Sequence, residues 1–270
     1  MNPDTAREDD VVKDRIVEIP TAAGRMETFV THPEQDGPFP AVVLYMDIWG
    51  VREELYDLAR RVATVGYYCM VPDWYYRQGK VRSIYVNDKG ERISLSRLSK
   101  EDQDKVLAPA RKLADQMVVE DSGAILKFLD SGSEPVKPGG AVGSIGYCMG
   151  GRHVMQAGVA YPDRFKAMAS LHGTTLISDA PDSPHLGVAK LRGELYCGFA
   201  EFDHYAPPPM IEQLGALLKP CAVKYVQAIH KGAEHGYSLP DRDIFDKSAA
   251  ERDWELIFAM FHRQIPPYRH

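Results

Sequence analysis

The sequence predicts an α/β fold, a mostly parallel central sheet with helices on both faces, built as a single domain over 1–270. Three observations predict it. Short β-branched runs alternate with amphipathic helical stretches along most of the chain, the pattern that lays helices over both faces of a parallel sheet. The run Ala41-Val-Val-Leu-Tyr-Met46 is unbroken and apolar, as expected of a strand buried on both faces. At 270 residues, with 44% hydrophobic and 26% charged, the chain has a globular composition and lies near the size at which one core stops growing.

Segments 11–19 and 25–31 alternate as strands, and Ala23-Gly24 supplies the turn chemistry of an antiparallel hairpin. After the central strand at 41–46, residues 52–65 place Leu55, Leu58, Ala59, Val62 and Val65 on one helical face, and Gly66 stops the helix before a strand at 67–72. Strand, helix and strand imply a right-handed parallel crossover. The pattern weakens from 74 to 98, where an Asp-Lys-Gly turn separates two short alternating runs. The stretch 78–105 reads as an excursion or partial lid over one end of the sheet. Ser99 with Asp102 opens a helical stretch over 100–130 with a break expected near Pro109. Strands follow at 140–146, 166–171, 193–199 and 222–228, alternating with helices at 150–160, 208–218 and 243–263.

Lys and Arg number 32 against 38 Asp and Glu, a formal charge of −6 with no dense basic block, so nucleic acid is not an expected partner. No stretch reaches the roughly 18 to 20 uncharged apolar residues of a membrane helix, so no membrane partner is expected. Residues 1–15 lack the apolar region of a signal peptide, and the cytoplasm is the expected compartment. Cys69, Cys148, Cys197 and Cys221 are scattered, with no Cys-x-x-Cys and no zinc-site spacing, so free thiols and no metal are expected. Oligomeric state is not legible in the sequence.

In an open α/β sheet ligands bind beyond the carboxyl ends of the strands, which directs attention to the residue after each strand. At 143–151, Gly-Ser-Ile-Gly-Tyr-Cys-Met-Gly-Gly, a strand runs through Gly146-x-Cys148-x-Gly150 straight into a helix. This is the nucleophile-elbow pattern with Cys in the Ser position: the flanking glycines let the backbone close while the nucleophile projects outward. A helix N-terminus also favours a thiolate. The alternative reading is a small buried hydrophobe, and for Cys69, Cys197 and Cys221 that structural reading is preferred.

A cysteine nucleophile needs a base and a group to orient it. Asp203 follows the strand at 193–199 and His235 follows the strand at 222–228, so nucleophile, acid and histidine occur in the order used by α/β-hydrolases. Each residue alone is also compatible with a helix cap or a solvated loop. Glu201 and Asp179 are fallback acids and His172, after the strand at 166–171, is a fallback base. The loop Met46-Asp-Ile-Trp-Gly-Val51 would supply one oxyanion N–H from Ile48, Met149 supplying the other. Asp47 would then sit beside Cys148 and accept its hydrogen bond or proton, or else make only local turn bonds.

Together these residues resemble the dienelactone hydrolase family, α/β-hydrolases with a cysteine nucleophile. The resemblance spans roughly 12–263 and rests on Asp47-Ile-Trp-Gly-Val51, Val71-Pro-Asp-Trp-Tyr-Tyr-Arg-Gln78, Gly146-Tyr-Cys-Met-Gly-Gly151, Asp203-His-Tyr-Ala-Pro207 and Glu234-His-Gly236. It implies Cys148 as nucleophile, His235 as base, Asp203 as orienting acid and Arg77 as contact for a substrate carboxylate. The sequence departs from the family at two positions. Asp47 stands where the family has Glu, and Leu239 stands where members acting on dienelactone carry a second carboxylate-binding Arg, for which Arg242 is the substitute at hand.

The expected activity is hydrolysis of an ester or lactone through a Cys148 thioester, with no cofactor. The expected partner is a small-molecule ester or lactone. Arg77, Lys80 and Arg82 suggest a carboxylated one, and Trp49, Trp74, Tyr75 and Tyr76 a ring-shaped body, with Trp49 and Tyr76 as substrate contacts beside Arg77. The rival readings are a non-catalytic binding protein on a hydrolase scaffold and a redox-sensing thiol protein.

Overall fold

The computed structural model describes residues 12–81 and 85–269; Arg82 lies outside them. Eight strands form one sheet: β1 (Val12–Thr21), β2 (Gly24–Pro33), β3 (Ala41–Tyr45), β4 (Tyr68–Pro72), β5 (Val142–Tyr147), β6 (Phe165–Leu171), β7 (Glu194–Phe202) and β8 (Lys224–Glu234). Their order is β1-β2-β4-β3-β5-β6-β7-β8. The β1–β2 hairpin enters antiparallel, and every pair from β4–β3 onward is parallel. Among the described residues there are six α-helices: α1 (Glu53–Ala63), α2 (Lys100–Arg111), α3 (Asp115–Asp130), α4 (Met149–Ala160) and α5 (Pro208–Leu218) between strands, and α6 (Lys247–Gln264) after the last. Among the described residues no helix is long and apolar enough to cross a membrane.

The register positions the site. Tyr45 pairs with Gly146, Tyr147 with Leu171 and Leu171 with Gly198, so β3, β5 and β6 end side by side and β7 runs on past them to Phe202. Because β3 has β4 on one side and β5 on the other, the chain reverses its order of strand addition there and opens a crevice at the carboxyl ends. Every residue of β3 and β5 is buried, as expected for strands covered on both faces.

One local expectation is corrected. Val65 does not join the buried face of α1, which comprises Leu55, Leu58, Ala59, Val62 and Ala63; the helix ends at Ala63, and Val65 is 41% exposed. The 100–130 stretch is interrupted near Pro109, as expected: Pro109 lies in the last turn of α2, and the break falls between Arg111 and Asp115. Proline removes only its own N–H, so a helix close to its end can run past it for a few residues. The Ser99 cap forms as expected, its Oγ accepting from the Asp102 N–H at 3.2 Å. The turn at 87–90 closes a minimal hairpin through a single Val86–Arg92 bridge, and Arg92 bridges onward to Arg242 in the loop after β8.

Candidate active site

The site begins with two glycines. A Cβ on Gly146 would lie 2.1 Å from the Gly150 carbonyl oxygen, and one on Gly150 would lie 2.1 Å from the Tyr45 carbonyl oxygen. With both side chains absent, β5 turns into α4 in one residue, and Cys148 occupies that turn at φ +55°, a region L-residues seldom adopt. The thiol is 8% exposed and lines a cavity of about 470 Å³.

Two loops from the far end of the chain bring an imidazole and a carboxylate to Cys148. His235 Nε2 lies 3.2 Å from Cys148 Sγ, and its Nδ1 lies 2.7 Å from Asp203 Oδ2. The other carboxylate oxygen of Asp203 accepts from the Tyr205 N–H at 2.9 Å, which fixes the carboxylate plane toward the imidazole. Burial disfavours a charged His235 ring, but the Cys148 sulfur and the Asp203 carboxylate outweigh it and push its pKa up to about 9. Such a thiol, imidazole and carboxylate chain can attack a carbonyl carbon and relay the proton that the attack requires.

The backbone N–H groups of Ile48 and Met149 donate to no acceptor among the described residues, and both residues line the cavity. Buried Tyr75 ties their two segments together, its hydroxyl 3.2 Å from the Ile48 carbonyl oxygen and 3.9 Å from Met149 Sδ.

Several other expectations are corrected. Asp47 does not bond to Cys148. Its Oδ1 accepts from Arg52 Nη1 at 2.8 Å and the Trp49 N–H at 3.0 Å, and its Oδ2 accepts from Arg52 Nη2 at 2.9 Å. A fully charged guanidinium satisfies a buried carboxylate better than a thiol can. Arg77 and Tyr76 do not face the cavity. Arg77 forms a fork on Asp121 at 2.6 and 2.9 Å, and the Tyr76 hydroxyl bonds to Thr21 and Asp121, so both secure the segment after β4 against α3. Lys80 is exposed, near Glu27. Trp74 stacks on Tyr45 in the core at 4.6 Å, which leaves Trp49 as the one of the four aromatics that lines the cavity. The fallback acids are not recruited: Glu201 accepts from the Gly232 N–H, and Asp179 is exposed.

His172 is no alternative base either, because its Nδ1 faces the Cys148 amide at 3.1 Å. Leu239 is fully buried in the core. Arg242 instead reaches the cavity, 5% exposed, with its guanidinium carbon 5.4 Å from the centre of the Trp49 ring. Among the described residues its Nε has no acceptor and no carboxylate is in ion-pair contact with it. Gly236 makes room for it, since a Cβ there would lie 3.0 Å from Arg242 Nη1.

Arg52 was not singled out by the sequence reading. It clamps Asp47 and, at 2.6 Å, Asp241, so the loop after β3 is held to the loop after β8. The expected lid stretch also borders the cavity through Ser94, Leu95 and Ser96. Arg97 and Ser94 both bond Asp243, which ties that stretch to the same loop.

Comparison with known proteins places this geometry among relatives. The model of the family described as "Dienelactone hydrolase family" matches residues 26–265. A "Putative carboxymethylenebutenolidase" of Synechocystis sp. is 26% identical over 261 residues, covering 94% of this chain and 98% of the relative. One of the same description from Saccharolobus solfataricus is 25% identical, covering 88% of this chain and 94% of the relative. The crystal structure of a "Putative Dienelactone Hydrolase" from Klebsiella pneumoniae superposes with a TM-score of 0.79 at 21% identity, covering 94% and 99% of the two chains. A hyperthermophilic esterase from the archaeon Pyrobaculum calidifontis superposes with a TM-score of 0.64 at 16% identity, covering 93% and 85%.

Proposed function

This chain belongs to the dienelactone hydrolase family, with the α/β-hydrolase fold, and from that premise we propose that it hydrolyses a carboxylated ester or lactone through a Cys148 thioester. The observation that carries the reading is the continuous contact from Cys148 Sγ through the His235 ring to Asp203, at 3.2 and 2.7 Å. Cys148 Sγ attacks the carbonyl carbon, and the oxyanion that forms is held by the Ile48 and Met149 N–H groups. The tetrahedral species collapses, the C–O bond to the leaving alkoxide breaks, and the proton on His235 Nε2 passes to that oxygen. Acylation removes the sulfur's negative charge, the largest influence that raises the His235 pKa. The ring thereby becomes a competent base, takes a proton from water, and the water oxygen displaces the thiolate to release the acid.

Peptide mass spectrometry after brief incubation with p-nitrophenyl acetate tests the reading. An acetyl group on the Cys148 peptide is expected, and turnover with the acetyl group only on another residue overturns the thioester.

Arg242 is the substrate-carboxylate contact in this reading, in place of Arg77. A buried guanidinium that lines the same cavity as Cys148 with its Nε unmatched gains a charge-assisted bond when a carboxylate enters. Arg242→Gln is expected to raise KM for a carboxylated aryl ester by about 10- to 100-fold, the value of one such bond, and to leave the uncharged ester's KM unchanged. Arg77→Ala is the contrast, expected to leave that discrimination intact because Asp121 holds its guanidinium. Equal losses on both esters in Arg242→Gln overturn the assignment.

A further inference from the structure

His172 is a second histidine at the nucleophile, and the hydrolytic steps above do not use it. It follows β6 at φ +38°, is fully buried, and its own N–H donates to the Gly198 carbonyl oxygen at 2.7 Å, so its backbone is held in an uncommon conformation. Nδ1 lies 3.1 Å from the backbone nitrogen of Cys148, and Nε2 lies 2.8 Å from Ser238 Oγ. An amide N–H only donates, so Nδ1 presents its lone pair to Cys148 and the ring proton sits on Nε2, pointing at Ser238. The ring edge also meets the His235 ring at 5.1 Å and 75°. One side chain therefore touches the elbow that carries the sulfur, the base itself, and the loop three residues beyond the base.

We propose that His172 is a positioning residue for the nucleophile, a strut that holds the Cys148 amide at one end and Ser238 at the other and so sets the separation of Cys148 Sγ and His235 Nε2. The Cys148 amide has a second acceptor, the Leu171 carbonyl oxygen at 3.0 Å. That second bond keeps the strand pairing, while the bond to His172 orients the amide toward the base loop. It also leaves this N–H doubly occupied, so the oxyanion is left to Ile48 and Met149. Burial, with the nearby charges of His235 and Arg242, holds the His172 pKa well below its ordinary value and keeps the Nδ1 lone pair free to accept.

The inference rests on the thioester reading, and the test separates the two. His172→Asn returns an acceptor oxygen near the Nδ1 position and tolerates a positive φ, whereas His172→Leu has nearly the same shape and no acceptor. With p-nitrophenyl acetate, His172→Leu is expected to lower kcat and the acylation burst rate by about 10- to 100-fold, the cost of a misplaced reacting group, with KM little changed. His172→Asn is expected to recover most of that loss. Equal loss in both variants, or wild-type burst rates in His172→Leu, overturns the strut while a wild-type adduct on Cys148 leaves the thioester standing. A wild-type enzyme that turns over without that adduct brings both down. Where His172→Leu does not fold, Ser238→Ala decides: it releases the Nε2–H, and a several-fold lower kcat at unchanged KM is expected, wild-type kcat overturning the proposal.

Discussion

Replacing Cys148 with alanine is expected to lower kcat for p-nitrophenyl acetate by about 10³-fold or more, as loss of a nucleophile does where only oxyanion donors and binding remain. The alanine fits the elbow, because it removes only the sulfur from a side chain that already tolerates φ +55°. The fold should therefore persist, and near-UV circular dichroism and the melting temperature check that it does. The same variant carries a second readout. In the intact site the Cys148 sulfur and Asp203 together raise the His235 pKa to about 9 against the opposing effect of burial. With the sulfur gone the largest raising influence is lost while burial remains, so the pKa falls. At about pH 8 the ring is therefore expected to be less protonated in the variant than in the wild type. Imidazole proton resonances followed from neutral to alkaline pH measure this directly. Retention of ester turnover by Cys148→Ala rules out the nucleophile, and a His235 titration unmoved by the substitution rules out the sulfur as its electrostatic partner.

The second large effect is on the backbone under that sulfur. Gly150→Ala would place a Cβ 2.1 Å from the Tyr45 carbonyl oxygen and 2.7 Å from that of Met46. Both atoms are backbone and belong to the segment that ends β3 and begins the Ile48 loop, so no side-chain rotation relieves the clash. Either α4 moves away from β3, which carries Cys148 and the Met149 N–H off their positions, or β3, itself fully buried, shifts within the sheet. An overpacked core site costs typically 1–3 kcal/mol, and this one is expected at or above the upper end, about 3 kcal/mol. For a chain of this size that corresponds to a fall in melting temperature of roughly 6–12 °C. Esterase activity should fall with it, even at temperatures where the variant is folded. Gly215→Ala in α5 is the matched control. Its Cβ would find only ordinary contacts, the nearest 3.7 Å from Gln227 Oε1, so a neutral or slightly stabilising result is expected. A Gly150→Ala protein with unchanged melting and unchanged kcat refutes the close approach of α4 to β3.

The legible parts of this molecule were those written in local pattern. The run Ala41–Met46 could be recognised as an interior strand because both of its faces are apolar, and Gly146-x-Cys148-x-Gly150 as a tight turn because only glycine permits the backbone contacts on either side. Asp203 and His235 were found from their place after β7 and β8, a position that topology alone brings to the crevice. His172 was noticed for the same reason. Its role was not readable, since position after a strand does not tell whether a ring turns its nitrogen to the sulfur or to the amide. Arg52 left no local signal, being one charged residue at the start of an amphipathic helix.

What the sequence determined by itself was therefore the backbone scaffold and the order in which the candidate site's side chains are delivered to it, since glycine spacing, strand periodicity and strand-end position are properties of consecutive residues. The tertiary structure alone decided the pairing of long charged side chains. Arg77 could have reached a substrate or Asp121, Asp47 could have met a thiol or Arg52, and Arg242 could have lain on the surface or over Trp49. A guanidinium on a flexible stem takes the carboxylate that packing brings within about 3 Å in the buried interior, where desolvation makes any unpaired charge costly. That choice depends on segments far apart in sequence, such as Arg52 and Asp241, which become neighbours only when the sheet has closed its ends together.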